Sequence, residues 1–319
     1  MAAVPTVTRR RALLGALCIG CSSSWVRPVC AATASSNTLS MNEVAPGIYV
    51  RRGIDEDASP TNDDAIANIG FVVGHKAVAV MDPGGSLHDG QQLRAAVRRV
   101  THLPISHVVM SHVHPDHIFG AGAFQQDKPQ FVGHSRLPQA LASRGEYYRK
   151  RLDEILGAGK AGPVVMPTQL VQDRVQLDLG GRVLEVTAHA VAHSDCDLTM
   201  RDAQTGTLFA ADLLFVQRIP ALDGSIKGWL NELNSLKTIE ARLAVPGHGP
   251  TSVKWPSGAA DLERYLRTVL TETRQAIAQG QEIDAAAVSV GQSERGRWKL
   301  FDDYNGHNVT QAFKELEWE

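Results

Sequence analysis

Met110-Ser111-His112-Val113-His114-Pro115-Asp116-His117-Ile118-Phe119-Gly120 is the stretch on which the reading of this 319-residue chain turns. It contains H-x-H-x-D-H, three imidazoles and one carboxylate within six residues. The apolar run before it, Ile105 to Met110, predicts a buried strand. A strand that ends in a donor-rich turn points several side chains into one small volume. Neutral imidazole and carboxylate suit zinc, iron or manganese. So close together, the four donors do not all reach one ion in good geometry. The spacing therefore predicts two neighbouring ions, roughly 3.5–4 Å apart as in two-metal sites generally. The alternative is a polar surface turn that happens to be His-rich. Lone histidines are usually structural, but four donors at this spacing after a strand are not a lone histidine.

Working outward, the pattern alternates apolar runs with turn formers. Val44 to Arg51 predicts a strand, and residues 52–65 an exposed acidic loop at the mouth of the site. Asn68 to Val73 and Ala77 to Met81 predict a hairpin. Asp82-Pro83-Gly84-Gly85 follows, then a helix over Leu87 to Val100. Ile118 to Phe124 predicts the start of a helix behind the donor turn, Gln130 to Gly133 a strand, and Ser135 to Leu156 a helical stretch. His134 lies near a strand end but is not counted as a ligand. Residues 157–167, rich in Gly and Pro, read as the join between two halves. Val175 to Leu179 and Val183 to Ala188 predict a second hairpin, followed by His193-Ser194-Asp195-Cys196-Asp197-Leu198. Leu208 to Ala211 reads as a strand ending in Asp212. Arg242 to Val245 is a short run before Pro246-Gly247-His248-Gly249-Pro250. Leu262, Leu266, Val269, Leu270 and Ile277 recur at helical spacing, and His307 to Trp318 predicts a closing helix. Alone, Asp212 reads as a turn residue and His248 as a loop residue.

Taken together and in this order, these motifs resemble the metallo-β-lactamase-fold hydrolases, over about Val44 to Pro250. The resemblance implies an α/β fold, a four-layer αββα sandwich of two mixed sheets face to face with helices outside. It implies that His112, His114 and His193 hold one zinc, that Asp116, His117 and His248 hold a second, and that Asp212 bridges them. Iron in place of zinc is compatible with this donor set. A metal-bridging hydroxide oriented by Asp116 would then cleave an ester, thioester, lactone or related bond. Asp82 would support the donor turn from behind; the plainer and compatible reading is a turn Asp capping the helix Leu87 to Val100. The family usually shows His-Thr-x-Gly-Asp where this chain has Ser194 for Thr and Cys196 for Gly. Cys196 reads as a small, partly buried residue and not a ligand. Arg218 is a candidate contact for an anionic group of the substrate, or a surface Arg covering apolar neighbours.

At finer grain, the chain is similar to exported metallohydrolases linked to quinoprotein relay systems and to sulfur oxidation. Asn68-Ile69-Gly70-Phe71, Ala211 to Phe215, Arg218-Ile219-Pro220, Leu222 to Ser225 and Gly228-Trp229 carry this likeness. Three function classes compete. The first is the dinuclear hydrolase. β-Lactamase activity stands within it, although Asp212 argues against the β-lactamase group with an Asp-His-His second site. The second is a single-iron persulfide dioxygenase-like enzyme using His112, His193 and Asp212. The third is a binding protein without catalysis.

The first 34 residues hold Arg9, Arg10, Arg11 and Arg27 and no acid. Thr8 to Leu14 resembles a twin-arginine export signal, and the short apolar run Ala12 to Ile19 is too brief to span a bilayer. Ala32-Thr33-Ala34 predicts cleavage near Ser35, leaving 35–319 as one domain in the periplasm. A lipobox ending at Cys21 is the lesser alternative. The mature chain would carry 28 basic against 34 acidic side chains, a net charge of −6. That excludes a broad electrostatic surface for nucleic acid or anionic membrane. Cys196 would be its sole cysteine, so no internal disulfide is expected. The expected partner is a small-molecule substrate, with a link to a periplasmic quinoprotein system.

Overall fold

The computed structural model describes residues 39–319. The predicted signal and its cleavage site lie outside the described residues. The first sheet contains seven strands in sequential order: β1 (Asn42–Ala45), β2 (Ile48–Arg51), β3 (Ile69–Val73), β4 (Val78–Met81), β5 (Ile105–Met110), β6 (Gln130–His134) and β7 (Gln169–Val171). Its first four strands run antiparallel, and β4 through β7 pair in parallel. The second sheet contains β8 (Arg174–Asp178), β9 (Val183–Ala188), β10 (Leu198–Asp202), β11 (Thr207–Phe215), β12 (Leu243–His248) and β13 (Val253–Lys254). Only β11 and β12 are parallel there. The helices are α1 (Leu87–Val100), α2 (Pro115–Ile118), α3 (Leu137–Ala140), α4 (Glu146–Leu156), α5 (Ile226–Leu236), α6 (Ala260–Ala278), α7 (Ile283–Ser289) and α8 (Phe301–Leu316).

Strand periodicity sorts the apolar residues into layers. In β4, Val78 and Val80 pack outward with Leu93 and Val97 of α1, whereas Ala79 and Met81 pack inward. In β11, Leu208 and Ala210 pack outward with Trp229, Leu262 and Leu266, whereas Phe209 faces the first sheet. Val50, Val109, Leu184, Met200 and Phe209 fill the space between the sheets. Helix, sheet, sheet, helix is the result, the predicted sandwich. Each fully buried Leu, Val or Phe contributes about 1.5–3 kcal/mol by leaving water.

Several boundaries differ from the sequence expectation. Val44 to Arg51 is a hairpin and not one strand, because Gly47 takes φ +71° between β1 and β2. The helix behind the donor turn starts at Pro115, where a proline ring fits the first helical position. It then tightens into a 3₁₀ segment over Phe119–Asp127. The strand through Asp212 does not end there but runs on to Phe215 after a register irregularity at Ala211. The closing helix begins earlier, at Phe301. The chain also stays in the first sheet past residue 167, since β7 still pairs with β6. Among the described residues no helix is long and apolar enough to cross a membrane.

Candidate metal centre

The predicted donors converge from five segments. His112 leaves the end of β5, His114 caps α2, and Asp116 and His117 lie within α2. His193 sits between β9 and β10, Asp212 within β11, and His248 at the end of β12. Two backbone distortions aim this set. Ala211 takes φ +45° just before Asp212, and Asp82 takes φ +55° just after β4. Left-handed non-glycine residues cost on the order of 1–3 kcal/mol and concentrate at functional sites. Gly247 on β12 lies against Asp212, and a Cβ there would stand 1.8 Å from Asp212 Oδ1.

The donors form two groups, His112–His114–His193–Asp212 and Asp116–His117–His248, with ligand atoms inside each group within 4.8 Å of one another. In the first group His114 Nδ1 lies 3.0 Å from His112 Nε2 and 2.9 Å from His193 Nε2. His112 Nε2 and His193 Nε2 are 3.2 Å apart. Asp212 Oδ2 lies 3.8 Å from His112 Nε2 and 3.4 Å from His193 Nε2. In the second group Asp116 Oδ2 lies 3.5 Å from His117 Nε2 and 3.3 Å from His248 Nε2. Asp212 faces this group too, with Oδ1 3.0 Å from His117 Nε2 and Oδ2 3.5 Å from His248 Nε2.

The outer nitrogens decide the protonation pattern. His117 Nδ1 meets Asp82 Oδ2 at 2.8 Å, and His193 Nδ1 meets the Ala221 carbonyl at 2.7 Å. His248 Nδ1 meets the Ile66 carbonyl at 3.0 Å, and His114 Nε2 meets Asp223 Oδ2 at 3.2 Å. Ser111 Oγ donates to Asp82 Oδ2, so His112 Nδ1, 2.9 Å from Ser111 Oγ, donates to that hydroxyl in turn. Each outer nitrogen thus carries its proton toward an oxygen, and a neutral ring then has its lone pair on the inner nitrogen. Five inward lone pairs and two carboxylates share one small space. Buried acceptors packed face to face repel unless a cation lies among them. The inner atoms His117 Nε2 and Asp212 Oδ1 lack any well-aligned hydrogen bond. These His and Asp groups are positioned for metal binding, and the outer contacts are of the kind that orient metal-ligating histidines.

Without a cation the bare side chains divide: burial favours neutral His112 and His193, whereas the carboxylates pull His117 and His248 toward the charged form, in the place a cation would take. Burial pushes His112 well below the usual imidazole range and lowers His193 as well. Burial opposes charge on His117, yet Asp212, Asp116 and Asp82 outweigh it and hold His117 well above that range. Burial likewise opposes charge on Asp212, but His117 and His248 hold its carboxyl well below the usual carboxylate value.

Asp82 is decided by its contacts. It accepts from Ser111 N at 2.8 Å and Ser111 Oγ at 3.0 Å besides His117, so it braces the donor turn. The cap of α1 is Ser86, not Asp82. Cys196 is fully buried, with burial raising its thiol, and stands outside both donor groups. His134 Nδ1 accepts from Arg136 N and also stands apart. Arg218 is not a surface residue. It is 4% exposed, with Nη1 donating to the Glu56 carbonyl at 3.1 Å and Nη2 facing Asp57 and Tyr304 at 3.4 and 3.3 Å. It therefore ties the 52–65 loop and α8 together over the donors.

A cavity of about 380 Å³ opens onto His114, Asp116, Asp212 and His248. Its walls include Tyr148, Leu152 and Ile155 of α4, Phe215 and Arg218. Three residues around the site have roles that the sequence did not assign. Asp223 holds His114 and is itself held by Arg144 at 2.9 Å. Asn68 Nδ2 donates to the Pro246 and Pro250 carbonyls, fixing the His248 turn to the first sheet. Asp64, assigned to an exposed loop, is buried. Burial, with Asp116 and Asp89 nearby, raises its carboxyl well above the usual range. Asn68 and Asp223 lie in stretches that carry the finer likeness, but nothing local marks their roles, since each acts through partners distant in sequence.

Residues 62–248 match the family model described as the metallo-beta-lactamase superfamily. A linear primary-alkylsulfatase of Pseudomonas sp. (strain ATCC 19151) is 22% identical over 240 residues, 64% of this chain and 44% of that protein. The stereoselective inverting sec-alkylsulfatase Pisa1 from Pseudomonas sp. superposes with a TM-score of 0.69 at 16% identity, covering 87% of this chain and 50% of its own. A metallo-beta-lactamase from Pontibacter korlensis gives 0.59 at 16% identity, covering 72% of this chain and 99% of its own. The chain thus spans about half the length of the two alkylsulfatases.

Proposed function

Because the chain belongs to the metallo-β-lactamase superfamily of metal-dependent hydrolases, we propose that it is a dinuclear zinc hydrolase of a small ester, thioester or lactone. The convergence of five inward imidazole lone pairs on two carboxylates carries this reading. His112, His114 and His193 would hold one ion, Asp116, His117 and His248 would hold the other, and Asp212 faces both groups. Bound divalent ions supply Lewis acidity and bring the pKa of water down from 15.7 to about 7.

The rest falls to the side chains. Asp116 lines the cavity and is positioned to accept a hydrogen bond from the attacking water, fixing its direction. His114, His193 and His248 keep their protons on the outer nitrogens throughout. Phe215 and the buried Leu152 place hydrocarbon beside the donors, which strengthens charge interactions there. Cleavage forms one bond from the water oxygen to the acyl carbon and breaks the bond to the leaving alcohol or thiol, which departs with a proton.

A single-iron dioxygenase would use His112, His193 and Asp212 and leave the second group idle. The completeness of Asp116–His117–His248 favours the dinuclear hydrolase. The test is zinc-loaded protein assayed on acyl esters, thioesters, lactones, a β-lactam and alkyl sulfates, with metal analysis. Asp212→Ala is expected to lower metal content and abolish turnover. Unchanged stoichiometry with full activity would remove Asp212 from the site, and one iron per chain would favour the oxidoreductase. The proposal includes twin-arginine export to the periplasm and kinship with quinoprotein-relay metallohydrolases.

A further inference from the structure

Helix α4 presents Tyr148, Leu152 and Ile155 at spacings of four and three residues, which puts them on one face. That face forms a wall of the cavity next to the donors. Ile155 is 39% exposed, a large apolar side chain open to the cavity instead of to the core. Ile66, Phe215 and Ile219 also line the cavity.

Apart from the donors and the buried Asp64, the charged groups in the same walls are already engaged. Tyr304 OH donates to Asp57 Oδ1 at 2.5 Å, and Arg218 faces both. Arg151, at the exposed end, pairs with Glu154 at 2.5 Å. What remains for an occupant is mostly hydrocarbon. At about 30 Å³ of liquid volume per water-sized unit, a volume near 380 Å³ holds roughly a dozen such units.

We propose that this α4 face is a chain-selecting slot, so that the hydrolase takes esters carrying a linear apolar tail of medium length. The inference rests on the hydrolase reading above and adds the class of substrate. The reacting bond sits at Asp116 and His248, and the tail runs along Tyr148 and Leu152 toward Ile155. Esters with compact polar acyl groups leave that wall facing water.

The experiment pairs turnover with binding. For zinc-loaded protein, kcat/KM on p-nitrophenyl esters from acetate to dodecanoate is expected to climb about fourfold per methylene, equivalent to ~0.8 kcal/mol. It should level off near eight to ten carbons, on the order of the volume above. Ile155→Glu, at a partly exposed position, should cut the octanoate-to-acetate ratio at least tenfold, and Ile155→Leu should keep it. Metal-free protein titrated calorimetrically with butanol through decanol should show the same slope, lost in Ile155→Glu. Alcohol binding independent of length, or a slope that survives Ile155→Glu, overturns the slot. If no ester turns over while the alcohol slope holds, the slot stands and the hydrolase reading falls.

Discussion

Replacing Asp82 with Asn separates the brace behind the donor turn from the donors themselves. In the native site Asp82 Oδ2 accepts from both Ser111 Oγ and His117 Nδ1, and Oδ1 accepts from Ser111 N. Asn keeps the shape and can keep the carbonyl contact to Ser111 N. Its amide, though, donates where the carboxylate accepted. His117 Nδ1 must then accept, and the ring proton moves to Nε2, the atom that faces Asp212 at 3.0 Å. A protonated Nε2 cannot ligate. Loss of such an outer partner typically weakens metal binding 10–100-fold, or about 1.4–2.7 kcal/mol. The loss should fall first on His117 and reach His112 as well, because Ser111 Oγ loses its carboxylate acceptor and turns its proton toward His112 Nδ1. Asp82→Ala should add a folding penalty, because the buried Ser111 N–H then has no acceptor, on the order of 1–3 kcal/mol. The assay is zinc titration of metal-free protein against a chromophoric chelator, beside urea unfolding of both variants. Two ions bound with native affinity in Asp82→Asn would refute the tautomer argument.

Other expected outcomes follow from the same geometry. Gly247→Ala should displace Asp212, since the new Cβ would meet Oδ1 at 1.8 Å; native zinc content in that variant would show that the strands give way instead. Arg218→Ala should lower the unfolding temperature, because Arg218 joins Glu56 and Tyr304. A clamp predicts equal KM shifts for carboxylate-bearing and neutral esters, and a selective rise for the carboxylate-bearing ones would make Arg218 a substrate contact instead. Arg9→Lys with Arg10→Lys should hold the precursor in the cytoplasm by fractionation, and normal export would sink the twin-arginine assignment.

The donors were legible in sequence because a metal site draws on few residue types at tight spacing, as in His112 to His117. Asp212 and His248 became legible only through their order relative to that turn. Strand ends were harder. A carboxylate inside an apolar run reads as a terminus, yet β11 carries Asp212 through its middle because metal-facing neighbours, not solvent, surround it. Gly47 hid a reversal inside one apolar run. Arg218, Asp223 and Asn68 depend on partners brought together only by packing of the two sheets, which local periodicity does not encode.

The seven donors are divided between the two halves of the sandwich. His112, His114, Asp116 and His117 belong to the first sheet's loop, and His193, Asp212 and His248 to the second sheet. Neither half alone offers a full set, so a loaded centre acts as a rivet that closes only after both sheets have met. Occupancy then certifies a finished fold. On the proposed twin-arginine route, which carries folded chains, a precursor without its ions would be a loose hinge, and the same atoms proposed to perform chemistry would serve as the passport across the inner membrane.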